Sequence, residues 1–355
     1  MENPASIKKS IVITSIFQPT EAVHAFAAMK DYTLIVAGDK KTPVDWACEN
    51  VDYLSVENQE TIGGHLYKLL PYNHYCRKMI GYLQAIAGGA EFIVDTDDDN
   101  IPKAGWNFPA FDGDFDYVAG GQGFVNVYQL YSSMHIWPRG LPLDLITKNF
   151  ALERTITKSE VKVGMWQGLA DEDPDVDAIY RLTSDTPCYF NYREPIVLGK
   201  GTISPFNTQN TMVRKAFFPL MYLPTYVTFR FTDILRGYVA QPIMWLYDHH
   251  LGFTNATVVQ KRNPHSYMKD FISELPMYTH CYEVMSTVDG AISSRASLED
   301  NLYNAYEALR KQQIVEDREM DVLAAWLLDI KTIAPNYELE KVPLSVLDYL
   351  LPYTH

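Results

Sequence analysis

Residues Glu91 to Asn100 read EFIVDTDDDN, an apolar strand that runs straight into a knot of carboxylates. Phe92-Ile93-Val94 has the continuous, partly β-branched character of a buried strand. Asp95, Asp97, Asp98 and Asp99 cannot simply join that core, because like charges within a few ångströms repel unless a cation or hydrogen-bond donors offset them. A divalent ion does this well, since its hard charge prefers carboxylate oxygen. Strand alternation turns Asp97 and Asp99 to one side and Asp98 to the other, so one acid can hold a metal while a neighbour binds a hydroxyl or a backbone amide. The competing readings are a solvated turn and a calcium loop. The calcium loop fails on its own pattern: it needs a central Gly and a late Glu, and this chain continues Asn100-Ile101-Pro102.

The other acids make the chain strongly anionic: 44 acidic against 30 basic residues give a formal charge of −14. Such a surface repels a phosphate backbone, so no nucleic acid is expected as a partner. A single nucleotide is still compatible, because a divalent ion and a few bases neutralise a diphosphate. A hydrophobic fraction of 47% over 355 residues is that of a globular chain with a sizeable core. Tyrosines in polar stretches (Tyr67, Tyr72, Tyr75, Tyr82) suit either stacking on bases and sugars or ordinary packing with a satisfied hydroxyl. Cys48, Cys76, Cys188 and Cys281 form no CxxC pair, which fits free thiols in a reducing compartment. The short apolar run Ile11 to Phe17 is no signal peptide, and no transmembrane segment is visible, so a cytoplasmic location is expected.

In chain order, a strand over Ser10–Ile16, a helix over Glu21–Met29 and a strand over Tyr32–Ala37 make a βαβ opening. Gly38-Asp39 follows, where open α/β sheets bind ligands; Asp39 is either an acceptor for a base N–H or a turn aspartate. Tyr75 to Ala87 has a helical apolar stripe ended by Gly88-Gly89, and Arg77 and Lys78 near its start are either diphosphate contacts or surface bases. Asp116–Ala119 reads as a strand and Ile136–Leu143 as a loop. In the acidic stretch Val163–Thr183, Asp175 and Asp177 share a face if the backbone is extended, and one of them caps a helix beginning at Ala178. Ile203–Met212 lines a polar pocket or turns. Tyr226–Asp233 alternates like a strand and hands over to a helix over Ile234–Trp245, with Asp233 as N-cap or as a site residue. His265, in the turn Asn263-Pro264-His265, is placed to fold back on a site, while His249 and His250 read as surface or packed residues. Leu298–Trp326 gives two helices separated near Gln313, and Ile333–Pro352 adds Leu-rich packing; this end buttresses the sheet or mediates homo-oligomer formation.

This pattern resembles GT-A glycosyltransferases, which bind a nucleotide-sugar through a divalent metal. The phrases MWQGLADEDPDVDAIYRLT, SPFNTQNT and FRFTDILRGYVAQ are similar to the glycosyltransferase-like domain of plant STELLO proteins and their relatives. A more distant resemblance, to the reversibly glycosylated polypeptides that include UDP-arabinopyranose mutases, rests on the DDD cluster, Arg139-Gly140 before a Pro, Pro174 to Ala178, and Arg230 with Asp233. The resemblance spans roughly Ile11 to His265 and implies an α/β, GT-A (Rossmann-like) mixed sheet flanked by helices. The corresponding domains are 1–289, the glycosyltransferase domain, and 290–355, a C-terminal helical extension. It implies that Asp97 faces the ribose or donor sugar, that Asp99 holds Mn²⁺ or Mg²⁺ and that His265 is a late metal ligand. Thr14, Asp39, Arg77, Asp98 and Arg139 are the further nucleotide-sugar contacts.

Together these imply transfer of a sugar from a UDP-sugar donor to a glycan or glycoprotein acceptor, inverting if Asp233 or Asp175 is the general base. The mutases carry a second arginine just after their RG-P element; here that place reads Leu143-Asp144-Leu145, which favours plain transfer over mutase or self-glycosylating activity. A non-catalytic nucleotide-sugar sensor or assembly factor is the reading from another class. The combination of DDD, His265 and Asp233 opposes it, because a sensor needs no base.

Overall fold

The computed structural model describes residues 8–62, 64–184, 186–261 and 266–334. Strand β1 (Lys9–Thr14), helix α1 (Glu21–Ala27) and strand β2 (Thr33–Ala37) form the expected βαβ opening, with β1 and β2 parallel from Ser10 opposite Thr33 to Thr14 opposite Ala37. Thr20 starts α1 by accepting from the Val23 N–H. Strand β3 (Val51–Leu54) adds in parallel to β2. Helices α2 (Val56–Ile62) and α3 (Gly64–Leu69) lead to α4 (Lys78–Ala87), entered through a 3-10 turn at Tyr75–Arg77. Ile11, Val12 and Ile13 are buried on both faces of β1, so helices must cover the sheet on both sides. Gly81 lets α4 come close: a Cβ there would lie 2.5 Å from Val12 Cγ1.

Strand β4 (Phe92–Thr96) pairs in parallel with the other edge of β1. The rest of the chain adds β5 (Asn100–Pro102), β6 (Asp112–Val118), a two-residue β7 (Gly123–Phe124), β8 (Ile156–Glu172), α5 (Ala178–Thr183), β9 (Ile196–Leu198) and β10 (Thr202–Ile203). Then come β11 (Asn210–Arg214), α6 (Thr232–Leu246), β12 (His250–Gln260), α7 (Tyr267–Ala291), α8 (Leu298–Lys311) and α9 (Glu319–Ile333). The main sheet runs β3-β2-β1-β4-β11-β8-β6-β9-β12-β5, and β8 also pairs with β12, so β8, β6, β9 and β12 close a ring. It is mixed: β3, β2, β1 and β4 are parallel, and β11 runs against both β4 and β8. This is the mixed α/β architecture, a large sheet flanked by helices, that the sequence implies.

Two elements differ from the sequence reading. The first half of the acidic stretch belongs to β8, a 17-residue strand whose outer half, paired with β6, is polar and whose inner half is buried. Tyr226–Asp233 is not a strand. Thr228 and Arg230 bond to Ser273 of α7, Phe231 N–H donates to Thr228 O, and the chain turns into α6. Its alternation reflects one side packing on α7, not a sheet ladder.

The C-terminal helices α8 and α9 flank Gln313 as expected. Buried Glu319 of α9 accepts from the Thr225 and Tyr226 N–H groups and the Tyr222 hydroxyl, and Asp329 accepts from the N–H groups of His65 and Leu66 at the start of α3. The stretch beyond Ala334 lies outside the described residues. Among the described residues no helix is long and apolar enough to cross a membrane.

Candidate functional site

A cleft of about 390 Å³ opens at the carboxyl ends of β1, β2 and β4, where open α/β sheets place their ligands. Thr14, Asp39, Arg77, Asp97, Asp98, Asp99, Arg139, Asp175 and Asp233 all line it. His265 lies outside the described residues.

The acid run divides where β4 ends, at Thr96. Asp95 is fully buried and belongs to the core after all, because two protein cations neutralise it: Lys78 Nζ lies 2.9 Å from Oδ1 and an Arg236 guanidinium nitrogen 2.8 Å from Oδ2. Past Thr96 the backbone turns, with Asn100 N–H donating to Asp97 O, so strand alternation no longer applies and all three following acids border the one cleft. Lys78 also contacts Asp97 Oδ1 at 2.7 Å and donates to Thr96 O. Asp98 accepts from the Ser15 hydroxyl, its carbonyl accepts from Thr20 Oγ1 at 2.5 Å, and Asp99 Oδ2 accepts from Gln260 Nε2 at 3.3 Å. Burial pushes the Asp97 carboxyl up to about 6 against the pull of Lys78, and it pushes Asp98 up to about 6 against the Ser15 hydrogen bond.

Arg77 and Lys78 are both fully buried, which overturns their reading as surface bases. Lys78 is committed to Asp95 and Asp97. Arg77 lies beneath Tyr67 and Tyr72, with its guanidinium carbon 5.0 and 4.6 Å from the ring centroids, and donates to Gln59 Oε1 and Leu70 O. Its second terminal nitrogen is buried with no hydrogen-bond partner among the described residues, and burial lowers its pKa. Asp39 fits both of its readings, since its carboxylate accepts from the Lys40 and His74 N–H groups and also borders the cleft. Beside it His74, Tyr75 and Phe229 form an aromatic shelf, with His74 and Phe229 centroids 5.2 Å apart and Tyr75 and Phe229 4.7 Å apart. Burial pushes His74 down to about 4, so it is neutral at neutral pH. Tyr82, by contrast, is core.

The opposite wall is built on Arg139. Its guanidinium grips Asp175 with Nε at 2.9 Å and a terminal nitrogen at 2.7 Å, and grips Asp233 with both terminal nitrogens, at 2.9 and 2.8 Å. Gly140 sets this aim: at φ 94° its backbone sits against α6, where a Cβ would lie 2.6 Å from Ile234 Cγ2. Asp233 is not the N-cap of α6; Phe231 holds that position and Asp233 lies inside the first turn, also accepting from Thr208 and Tyr75. Asp177 is the cap expected next to Ala178, accepting from Tyr180 N–H and Trp137 Nε1 at 2.8 Å each. One turn of α6 ties both walls together, with Asp233 reaching Arg139 and Arg236 reaching Asp95. The polar phrase after Ser204 stitches them: Asn207 donates to Asp175 Oδ2 and accepts from Arg236, and Thr208 and Gln209 border the cleft. Arg236 is a site-building residue that the sequence reading missed; its signal was a lone cation three residues after Asp233 in an otherwise apolar helix.

Among the described residues no three His, Cys, Asp or Glu side chains converge as a ready-made metal cage. The chemistry of Asp97 and Asp99 nonetheless fits Mg²⁺ or Mn²⁺, which are commonly held by one or two carboxylates together with substrate phosphates and water.

A family model described as STELLO glycosyltransferases matches residues 230–344. Two plant proteins are similar over most of the chain. "Probable glycosyltransferase STELLO1" of Arabidopsis thaliana is 25% identical over 96% of this chain and 46% of its own length, and "Probable glycosyltransferase STELLO2" of the same plant is 25% identical over 91% and 44%. The chain thus spans a little under half the length of these relatives. The family match covers about a third of the chain, and the similarity to the two plant STELLO proteins extends over nearly all of it.

Proposed function

We propose that the protein is a metal-dependent glycosyltransferase that moves a sugar from a UDP-sugar to a hydroxyl of a glycan or glycoprotein. The observation that carries this reading is the meeting, in one cleft at the carboxyl ends of parallel strands, of the Asp97–Asp99 turn, Asp39 with its aromatic shelf, and the Arg139–Asp175–Asp233 cluster. The catalytic domain reaches to residue 289, α8 and α9 are its helical extension, and the four free cysteines suit a cytoplasmic setting.

The base of UDP lies against Phe229 and His74, with its N–H directed at Asp39. Asp97 and Asp99 would hold Mn²⁺ or Mg²⁺. When bound, the ion supplies positive charge to the departing diphosphate. Arg77, a desolvated cation in the lining of the same cleft, adds positive charge on the diphosphate's side. Asp233 takes the proton of the attacking hydroxyl, and direct attack inverts the sugar's configuration. Both oxygens of Asp233 accept from Arg139. Asp233 therefore acts as a base only once Arg139 loosens its hold, and a bound donor's oxygens are the competing partners for that guanidinium. Incubation with UDP-sugars, with and without Mn²⁺ and a glycan acceptor, tests this reading. Metal-dependent UDP release stimulated by acceptor is expected; isomerised nucleotide without UDP release would point to a mutase, and metal-dependent UDP binding with no turnover to a sensor.

A further inference from the structure

We propose that a second cavity, of about 370 Å³, is the acceptor subsite and takes a neutral, hydroxyl-rich saccharide; the proposal rests on the donor-cleft reading above. The two cavities share a wall. Gln260 lines both, with its Nε2 on Asp99 Oδ2 and its Oε1 on Gln209 Nε2. The rest of the wall is the segment after β8, which sends Asp175 to the donor cleft and Asp173, Pro174 and Val176 to the second cavity. A ligand seated there is one side chain away from the acids of the first cleft. The volume falls in the range of small-ligand pockets, roughly 300–1,000 Å³.

The lining is chemically selective. Tyr267, 39% exposed and backed by the buried Tyr180, supplies ring surface of the kind that packs on sugar faces. The Arg181 side chain is only 7% exposed, and its terminal nitrogens are held by Asp173 and Pro174 O, but its Nε has no hydrogen-bond partner among the described residues. A buried donor left this way is unfavourable, and a ligand hydroxyl can satisfy it. Glu172 and Asp173 offset Arg181 and Lys261, so the cavity offers no net positive field to select an anion. Glu172 keeps the left-handed region, φ 69°, at the cavity's edge, a conformation that non-glycine residues adopt at an energetic cost.

The test is saturation-transfer NMR, with and without UDP and Mn²⁺, using the methyl glycosides of glucose, galactose, mannose, xylose and N-acetylglucosamine, with glucuronate as the anionic control. Thr186→Trp fills the cavity mouth from an exposed position, and Tyr267→Ala removes ring surface; melting curves check that both fold. At least one glycoside should bind, and both variants should weaken it at least about tenfold while UDP affinity stays within about twofold. The proposal is overturned if no glycoside binds a protein that binds UDP, if binding is indifferent to both variants, or if glucuronate is preferred. Loss of UDP binding by the wild type would overturn the donor reading instead, and the variants' effect on glycoside binding without UDP would still decide this one.

Discussion

Each wall of the cleft gathers two carboxylates around one buried cation, yet the walls are not equivalent. Lys78 is a point charge between Asp95 and Asp97, and Arg236 completes Asp95 from behind. Asp97 is thereby left 35% exposed toward the cleft. Arg139 is a planar fork that engages both oxygens of Asp175 and of Asp233, whose side chains are only 9% and 5% exposed. The first wall presents carboxylate to a ligand; the second is a closed network that a ligand has to open. The same residue types give a ligand-facing edge or a held acid according to whether the cation is Lys or Arg and whether a second cation stands behind it.

The largest predicted effect breaks the core half of the first wall. Asp95→Ala strips Arg236 of its carboxylate and leaves buried Lys78 only Asp97, and should lower stability by about 3–5 kcal/mol in urea unfolding, whereas Asp97→Asn should leave stability close to wild type. Equal losses would show that Asp97 is as structural as Asp95. On the second wall, Arg139→Met leaves Asp175 and Asp233 buried and unneutralised by their shared fork, with a loss of similar kind; Arg139→Lys should recover the charge but not the two-edged grip, and melt between the two.

Next comes chemistry. Asp233→Asn should reduce transfer by roughly two orders of magnitude or more if Asp233 is the base, with UDP affinity little changed. Because Asn gives Arg139 one acceptor fewer, a modest fall in melting temperature should accompany it, so the diagnostic result is lost turnover with retained UDP binding. Full activity in Asp233→Asn shifts the role to Asp175.

The smallest effect is in pH. Burial holds the Asp97 and Asp98 carboxyls near 6, above the usual unfolded value of about 3.9, so the folded metal-free chain binds these protons more tightly than the unfolded one. Their contribution to stability is fully present below about pH 4 and is lost as pH rises through about 6. A divalent ion held by Asp97 must displace that carboxyl's proton, so Mn²⁺ affinity should rise between about pH 5 and 7 and then level. A flat profile in calorimetric titration would place the ion elsewhere.

The parallel opening, the helix after Tyr75, the two C-terminal helices and the ligand end of the sheet were legible because periodicity, caps and strand-end glycines are local signals. What was not legible was set by partners distant in sequence. Nothing near Lys78 announces that Asp95, 17 positions on, and Arg236 would make it internal. The alternation of Tyr226–Asp233 was real, but contact with Ser273 on a later helix, not a neighbouring strand, decided its form. The Asp233 carboxylate invited a capping assignment from its position before an apolar run, and the fork of Arg139, 94 residues earlier, claimed it instead. The phrase after Ser204 was ambiguous between turn and pocket because its polar groups serve both: Asn207 bonds within the walls while Thr208 and Gln209 border the cleft.

The central claim is that the exposed edge of the first wall binds UDP through a divalent ion. The most direct measurement is calorimetric titration of UDP into wild type, Asp99→Ala and Asp95→Asn, each with and without Mn²⁺, with melting curves to confirm folding. The account predicts strong metal dependence in wild type, its loss in Asp99→Ala at unchanged melting temperature, and its retention in Asp95→Asn to the extent that this variant folds. Equal UDP affinity with and without Mn²⁺, or an Asp99→Ala variant that binds UDP and Mn²⁺ as wild type does, would contradict it.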